Sequence, residues 1–489
     1  AFITQHQITS FVLFARNIPD LESAQRLIAR IHTLAEHPLI AVDQEGGRVT
    51  RLPTPATHMP SAMALGATGS PDLAFRAGQT TARELRAMGL NAALAPVLDV
   101  NNNPANPVIG TRSFGMSPDL VAQMGVAWLR GAQGAGIAAC AKHFPGHGDT
   151  HVDSHADLPR ITKSRGELER VELAPFRAAI AAGVELLMPG HLLMTALDDA
   201  RPASLSRHIV TDLLRGEMRF AGTVITDALD MDAVARDFGI PNATAEAAIA
   251  GCDLVVPIAQ HAETLRALQR AVDDGRLPLE QVSASAQRTQ RLREKLAALP
   301  PADPSWLGAA EHQAVAQEIA RRAIRVHDAR GMLPLRDLAG FAVIDFALGK
   351  ATIAEGASYG ADKLLTAMRA THPALDGIAL PFGPDERATR DALAFAANAR
   401  GLIIAMRQAL HFASQQAFVR DCLALDKPTV LIAMRDPYDL DLFPDAPCAI
   451  ATFDDSPAMI SEVMTRLKIS SAITPDNGFS VEGHGTLSF

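Results

Sequence analysis

Fourteen consecutive residues, Lys142-His143-Phe144-Pro145-Gly146-His147-Gly148-Asp149-Thr150-His151-Val152-Asp153-Ser154-His155, hold four histidines, two aspartates and a lysine. Groups that titrate or hydrogen-bond at this density suit proton transfer or the grip of a polar ligand. The run starts where the apolar stretch Ile137 to Ala141 stops. Ionisable residues just past a buried strand are how α/β folds build sites at the C-terminal edge of a sheet. The histidines recur every four residues, at 143, 147, 151 and 155. On a helix that spacing would stack them on one face and suggest zinc. Pro145, Gly146 and Gly148 oppose a helix there, so no metal site is assigned. A polar surface loop carrying chance histidines is the plain alternative.

Such groups need a scaffold. Apolar runs at Ile8 to Phe14, Leu39 to Asp43, Ala92 to Val100, Ile137 to Ala141, Val184 to Met188, Thr223 to Thr226 and Asp253 to Ile258 alternate with amphipathic segments. The segments include Leu21 to Ala35, Pro71 to Met88, Ser117 to Gln133 and Ala262 to Asp273. Strand–helix repetition predicts parallel strands with crossover helices, here a (β/α)8 TIM-type barrel. Seven runs leave one strand unplaced, and this reading assigns it to sequence ahead of Ala1. Polar residues follow nearly every run: Asp43-Gln44-Glu45-Gly46-Gly47-Arg48, Asp99, Arg112-Ser113-Phe114-Gly115, Lys142 with His143, His191 and Asp227. Each alone reads as a cap, turn or ion pair. A barrel would bring them all to one rim.

With 489 residues, two domains are the natural division. The barrel is expected over 1–300 and a linker with a connecting helix over 301–330. A smaller α/β sandwich is expected over 331–489, with runs at Phe341 to Phe346, Gly377 to Pro381, Gly401 to Met406, Thr429 to Met434 and Cys448 to Phe453. A net charge of −9 with mixed signs and no basic block excludes a nucleic-acid binder. The apolar stretch Ala178 to Leu197 is broken by Gly183, Glu185, Pro189, Gly190 and His191, so it does not span a membrane. Four scattered cysteines, at 140, 252, 422 and 448, build neither a disulfide framework nor a zinc ribbon. With no signal-peptide pattern visible, a cytoplasmic setting is expected. Oligomeric state stays open.

The chain resembles family 3 glycoside hydrolases, specifically the two-domain β-N-acetylglucosaminidase branch. The resemblance rests on Val42-Asp43-Gln44-Glu45-Gly46-Gly47-Arg48-Val49, Gly110-Thr111-Arg112-Ser113-Phe114-Gly115, the Lys142 to His155 run, and Ile225-Thr226-Asp227-Ala228-Leu229-Asp230-Met231. Leu13-Phe14-Ala15-Arg16-Asn17 also matches. Together these motifs cover most of residues 8 to 260 in the family's order, whereas residues 331 to 489 match only in position and α/β pattern.

Glycoside hydrolysis needs one group to protonate the leaving oxygen and one to handle the anomeric carbon. The resemblance implies Asp227 as the nucleophile, with a helix N-cap as the competing local reading. Asp230 and Asp232 are its neighbours in sequence and belong with the following loop or helix. The resemblance gives the acid/base role to a histidine–aspartate pair, here His155 and Asp153. Imidazole titrates near pH 6.5 and so can donate and retrieve a proton near neutrality. The aspartate would orient the ring and favour its protonated form. A solvated loop residue is the competing reading of His155. The same resemblance implies Asp43, Arg51, Arg112, Lys142 and His143 as substrate contacts, with ion pairing as the competing reading for the two arginines and Lys142. Glu45, His147, Asp149 and His191 are left to shape the loops around them.

The implied activity is a retaining exo-β-N-acetylglucosaminidase acting on small amino-sugar oligosaccharides, muropeptide fragments of peptidoglycan foremost, with no cofactor and no metal. A broad β-hexosaminidase or β-glucosidase of the same family is the first alternative. An imidazole repels phosphate less than a carboxylate would, so phosphorolysis is a second. A sugar-binding protein on an inactive barrel and a metal-dependent hydrolase are the readings from other classes.

Overall fold

The computed structural model describes residues 2–151, 158–349 and 363–468. The described chain forms two compact units, dividing between Ala316 and Gln317.

In the first unit seven strands form one parallel sheet in sequential order. They are β1 (Ser10–Leu13), β2 (Leu39–Val42), β3 (Ala92–Ala93), β4 (Ala138–Phe144), β5 (Leu186–Pro189), β6 (Thr223–Ala228) and β7 (Leu254–Val256). The sheet curls into a nearly closed barrel whose interior holds alternate residues of successive strands, among them Leu39, Ala41, Ala92, Ala138, Cys140, Leu186, Met188 and Ile225. Period-2 alternation sends Ile40, Ala139 and Leu187 to the opposite face, where they too are buried. Leu292 and Leu296, on the helix Leu279–Ala297, close the core. The sheet ends at β1 and β7, and a cavity of about 510 Å³ lined by Val12, Leu13, Leu39, Ile225, Leu254 and Val256 separates those edges. An eighth strand is not among the described residues.

The crossover helices begin where the sequence supplies a cap. Asp20, Ser70 and Ser117 each accept a backbone N–H of the first turn of Leu21–Leu34, Pro71–Ala87 and Pro118–Gly134. The last two have proline at their first position. Two strands differ from expectation. β3 is short because Pro96 has no N–H to donate. Its continuation still tracks β4, since the Cys140 N–H donates to the Ala95 carbonyl (2.8 Å) and the Leu98 N–H to the Lys142 carbonyl (2.7 Å). β4 runs three residues past Ala141, so Lys142 and His143 lie within the strand and not beyond it.

The connecting segment is tied to the first unit by one buried carboxylate. Glu84 accepts from the Thr57 N–H and hydroxyl (both 2.7 Å), the Gly308 N–H (3.2 Å) and His312 Nδ1 (2.9 Å). The helix Ala310–Ala323 then runs across the division between units.

The second unit has a six-stranded sheet: β8 (Arg325–Asp328), β9 (Phe341–Leu348), β10 (Asp376–Pro381), β11 (Gly401–Met406), β12 (Thr429–Ala433) and β13 (Cys448–Ala451). Their spatial order is β8-β13-β12-β11-β9-β10, parallel except for β8 against β13. Asp345, within β9, pairs with Arg407, which also reaches Asp455 (3.4 Å). Lys363, half-buried, meets Asp455 at 3.2 Å, so these charges oppose one another within the unit. Among the described residues no helix is long and apolar enough to cross a membrane.

Candidate active site

The strand ends β2 to β6 present a continuous polar array. Asp43 and Glu45 follow β2, and Lys142 projects from β4 between them, its Nζ 2.7 Å from both Asp43 Oδ1 and Glu45 Oε1. Arg112, in the short turn Gly110–Arg112, clamps Glu45 with Nε and Nη2, each at 2.8 Å. That fork matches a carboxylate in plane and spacing. Arg112 Nη2 also stands 3.3 Å from His143 Nε2, while His143 Nδ1 lies 2.7 Å from Asp99 Oδ2. Guanidinium only donates and carboxylate only accepts, so His143 carries its hydrogen on Nδ1 and its lone pair on Nε2. Asp99 also receives the backbone N–H of His143 (3.1 Å) and of His147 (2.7 Å).

Burial sets the electrostatics. Burial alone would raise the Glu45 carboxyl, but the Arg112 and Lys142 charges outweigh it and hold the group far below the usual carboxylate range. Burial would likewise lower Lys142 and Arg112, and the carboxylates beside them push both up instead. Asp99 is held down against burial by His143 and His147. At His147 burial outweighs the raising effect of the Asp99 carboxylate and lowers the ring to about 4.

Asp227 lies near the C-terminal end of β6, half-buried, with the Ala228 N–H donating to its Oδ1 at 2.8 Å. The thiol of Cys140, inside the barrel, reports what surrounds it. Burial pushes the thiol up, and the charges that bear on it are Lys142, Asp43 and Asp227. Asp43 just past β2, Lys142 within β4 and Asp227 within β6 all lie toward the C-terminal ends of strands of the one parallel sheet. Arg51 is set through its backbone, since Gln44 Oε1 accepts the Arg51 N–H at 2.8 Å.

Asp153 and His155 lie outside the described residues. The chain on either side of 152–157 is firmly held. On the near side, Asn106 Nδ2 donates to the carbonyls of His147 and Gly148 (2.9 Å each), and Asn103 Nδ2 to that of Thr150 (3.1 Å). On the far side, Arg160–Ile161 pairs with Leu193–Met194. Lys163 bridges the two sides, with Asp149 at 2.8 Å and buried Glu172 at 2.6 Å. Asn103, Asn106, Lys163 and Glu172 were not singled out from sequence. The Asn-rich run reads as an ordinary turn, and the lysine and glutamate carry no motif. In sequence Asp99 stands out only for following a strand, and Glu45 reads as a loop-shaping residue. Asp230 falls in a turn and Asp232 starts the helix Asp232–Phe238, as expected. No cluster of three metal-ligating side chains occurs among the described residues.

An array of paired acceptors and donors on the same strand ends as the half-buried Asp227 carboxylate suits a polyhydroxylated ligand and a carboxylate-dependent reaction at it. Comparison with known proteins places the chain in context. Residues 1–292 match the glycosyl hydrolase family 3 N terminal domain. The chain is 36% identical over 370 residues to beta-hexosaminidase A of Pseudoalteromonas piscicida, covering 68% of this chain but only 62% of that relative. It is 40% identical over 259 residues to a beta-hexosaminidase of Thiobacillus denitrificans, covering 52% of this chain and 71% of the relative. The solved family 3 beta-N-acetylglucosaminidase of Paenibacillus sp. str. FPU-7 superposes with a TM-score of 0.87 at 32% identity, over 96% of this chain and 92% of that one.

Proposed function

The chain belongs to glycosyl hydrolase family 3, and from that premise we propose that it is a retaining exo-β-N-acetylglucosaminidase. It removes terminal β-linked N-acetylglucosamine from small amino-sugar oligosaccharides, among them muropeptide fragments. Asp227 attacks the anomeric carbon and carries the sugar as a covalent ester. His155, oriented by Asp153, protonates the leaving oxygen and then takes a proton from the water that releases the sugar. Asp43, Lys142 and Arg112 hold hydroxyl and acetamido oxygens, and Arg51 reaches the same sugar from the turn after β2.

One observation carries this reading: the half-buried Asp227 carboxylate shares the rim of the barrel with the charged array of Asp43, Lys142, Glu45 and Arg112. The names of the sequence relatives and of the Paenibacillus structure support the choice of sugar. The test is covalent trapping with a fluorinated N-acetylglucosamine analogue, followed by mass spectrometry of the labelled peptide. The label is expected on Asp227, and a label elsewhere would remove the assignment. Asp227→Ala is expected to abolish turnover. His155→Ala is expected to slow substrates with poor leaving groups far more than aryl glycosides that need no protonation. Equal losses across that series would reject His155 as the acid. Aryl N-acetylglucosaminide should outrun aryl glucoside, which tests the sugar class.

A further inference from the structure

His191 is fully buried on the turn that follows β5. Its Nε2 stands 3.0 Å from the carbonyl oxygen of Ala228, and its Nδ1 2.7 Å from Ser204 Oγ. A carbonyl oxygen only accepts. Nε2 therefore carries the hydrogen, and the lone pair on Nδ1 accepts from the Ser204 hydroxyl. Ser204 is equally buried, in the turn Ala203–Leu205, and rides on the same loop. Its N–H donates to the Gly190 carbonyl (3.2 Å), and the Ala203 N–H donates to the Leu192 carbonyl (2.8 Å). The loop thus fixes both the place and the tautomer of the ring.

The bond to Ala228 falls beyond the residues of β6 that pair with β5. Pairing of β5 with β6 covers only Leu186 with Thr223 and Leu187 with Val224. Pairing of β6 with β7 shifts register between Ile225 and Ala228, so Asp227 sits in an irregularity of the ladder. The peptide just beyond Asp227 is pinned from both sides. Its N–H, on Leu229, donates to the Val256 carbonyl of β7 (3.0 Å). Its carbonyl, on Ala228, receives His191 from the β5 side.

We propose that His191 is a positioning residue for Asp227: it replaces the missing cross-strand bond and so aims the carboxylate. The proposal rests on the reading of Asp227 as nucleophile. Attack on an anomeric carbon tolerates little error, and a misplacement of about 1 Å costs about 100-fold in rate.

The experiment compares the first-order rate constant for labelling by the fluorinated N-acetylglucosamine analogue in wild type, His191→Phe, His191→Gln and Ser204→Ala. That constant is read per active site, so partial misfolding lowers the amplitude and leaves the rate unchanged. His191→Phe keeps the ring and loses the donor. Its labelling rate is expected to fall about 10- to 100-fold, with binding of N-acetylglucosamine within about threefold of wild type. His191→Gln restores an N–H toward Ala228 and should recover most of the rate. Ser204→Ala removes the hydroxyl that keeps Nε2 protonated, and should fall in the same direction by less. A labelling rate in His191→Phe within twofold of wild type, with the label on Asp227, overturns the proposal while the nucleophile reading stands. If His191→Phe does not fold, an unchanged rate in Ser204→Ala overturns it in the same way. A wild-type label on another residue overturns both readings.

Discussion

Glu45 reads in sequence as a loop-shaping residue, yet in the structure it joins the two cations of the site. One carboxylate holds Arg112 in a two-bond fork and Lys142 through a third contact, all three side chains being buried. Removing that charge would leave two buried cations sharing only Asp43 and Asp99 nearby. Glu45→Gln is therefore expected to destabilise the first unit by about 3–5 kcal/mol, seen as a lower urea midpoint. It should also raise KM at least about tenfold as Arg112 and Lys142 lose their set positions. An unchanged KM in a fully stable variant would show that the two cations are held by other means. The role was invisible in sequence because it depends on distance. Nothing in Asp43-Gln44-Glu45 says which carboxylate points at Arg112, 67 residues on.

At the scale of elements, the loop after β4 is shaped by close backbone approach as much as by hydrogen bonds. A Cβ on Gly148 would lie 1.7 Å from the Val100 carbonyl oxygen, inside any permissible contact. That glycine lets the His147–Thr150 turn press onto the loop after β3, where Asn103 and Asn106 take its carbonyls. Gly148→Ala is expected to cost about 2 kcal/mol or more. Activity should fall at least about tenfold, because the turn that leads to 152–157 moves with it. A variant with wild-type melting and turnover would show that the turn can shift without consequence. The helices are legible in sequence as the amphipathic segments Leu21 to Ala35, Pro71 to Met88 and Ser117 to Gln133. The strands were legible in place but not in extent. Hydrophobic periodicity does not report where a proline interrupts β3, or that β4 continues through a lysine and a histidine neutralised by partners on other strands.

The described residues form two compact units, and buried titratable groups give them opposite responses to acid. In the first unit His147 is lowered to about 4, whereas an unfolded chain takes up that proton near pH 6.5. Between those values the unfolded state binds more protons, so this contribution is lost as pH falls from 6.5 toward 4. In the second unit Asp439 is buried beside Asp436, and burial first and that neighbour second raise it to about 7. The Leu410 N–H donates to its Oδ1. Here the folded state holds the extra proton, so the contribution is complete below about pH 4 and is lost as pH rises through 7. Asp439→Asn, followed by calorimetry from pH 5 to 8, should raise the melting of the second unit at the alkaline end and have little effect at the acid end. An equal shift at both ends would show that Asp439 does not titrate in this range. By itself the sequence determined the barrel class and the order of its strands. It also determined the family and the residues proposed for catalysis, because periodicity and motif spacing are local properties of a chain. Only the tertiary structure decided which charges meet: Lys142 between Asp43 and Glu45, Arg112 on Glu45, and His191 on the peptide beside Asp227. Those pairings join residues tens of positions apart, and charge compensation at about 3 Å is set by how strands register, which no local pattern records.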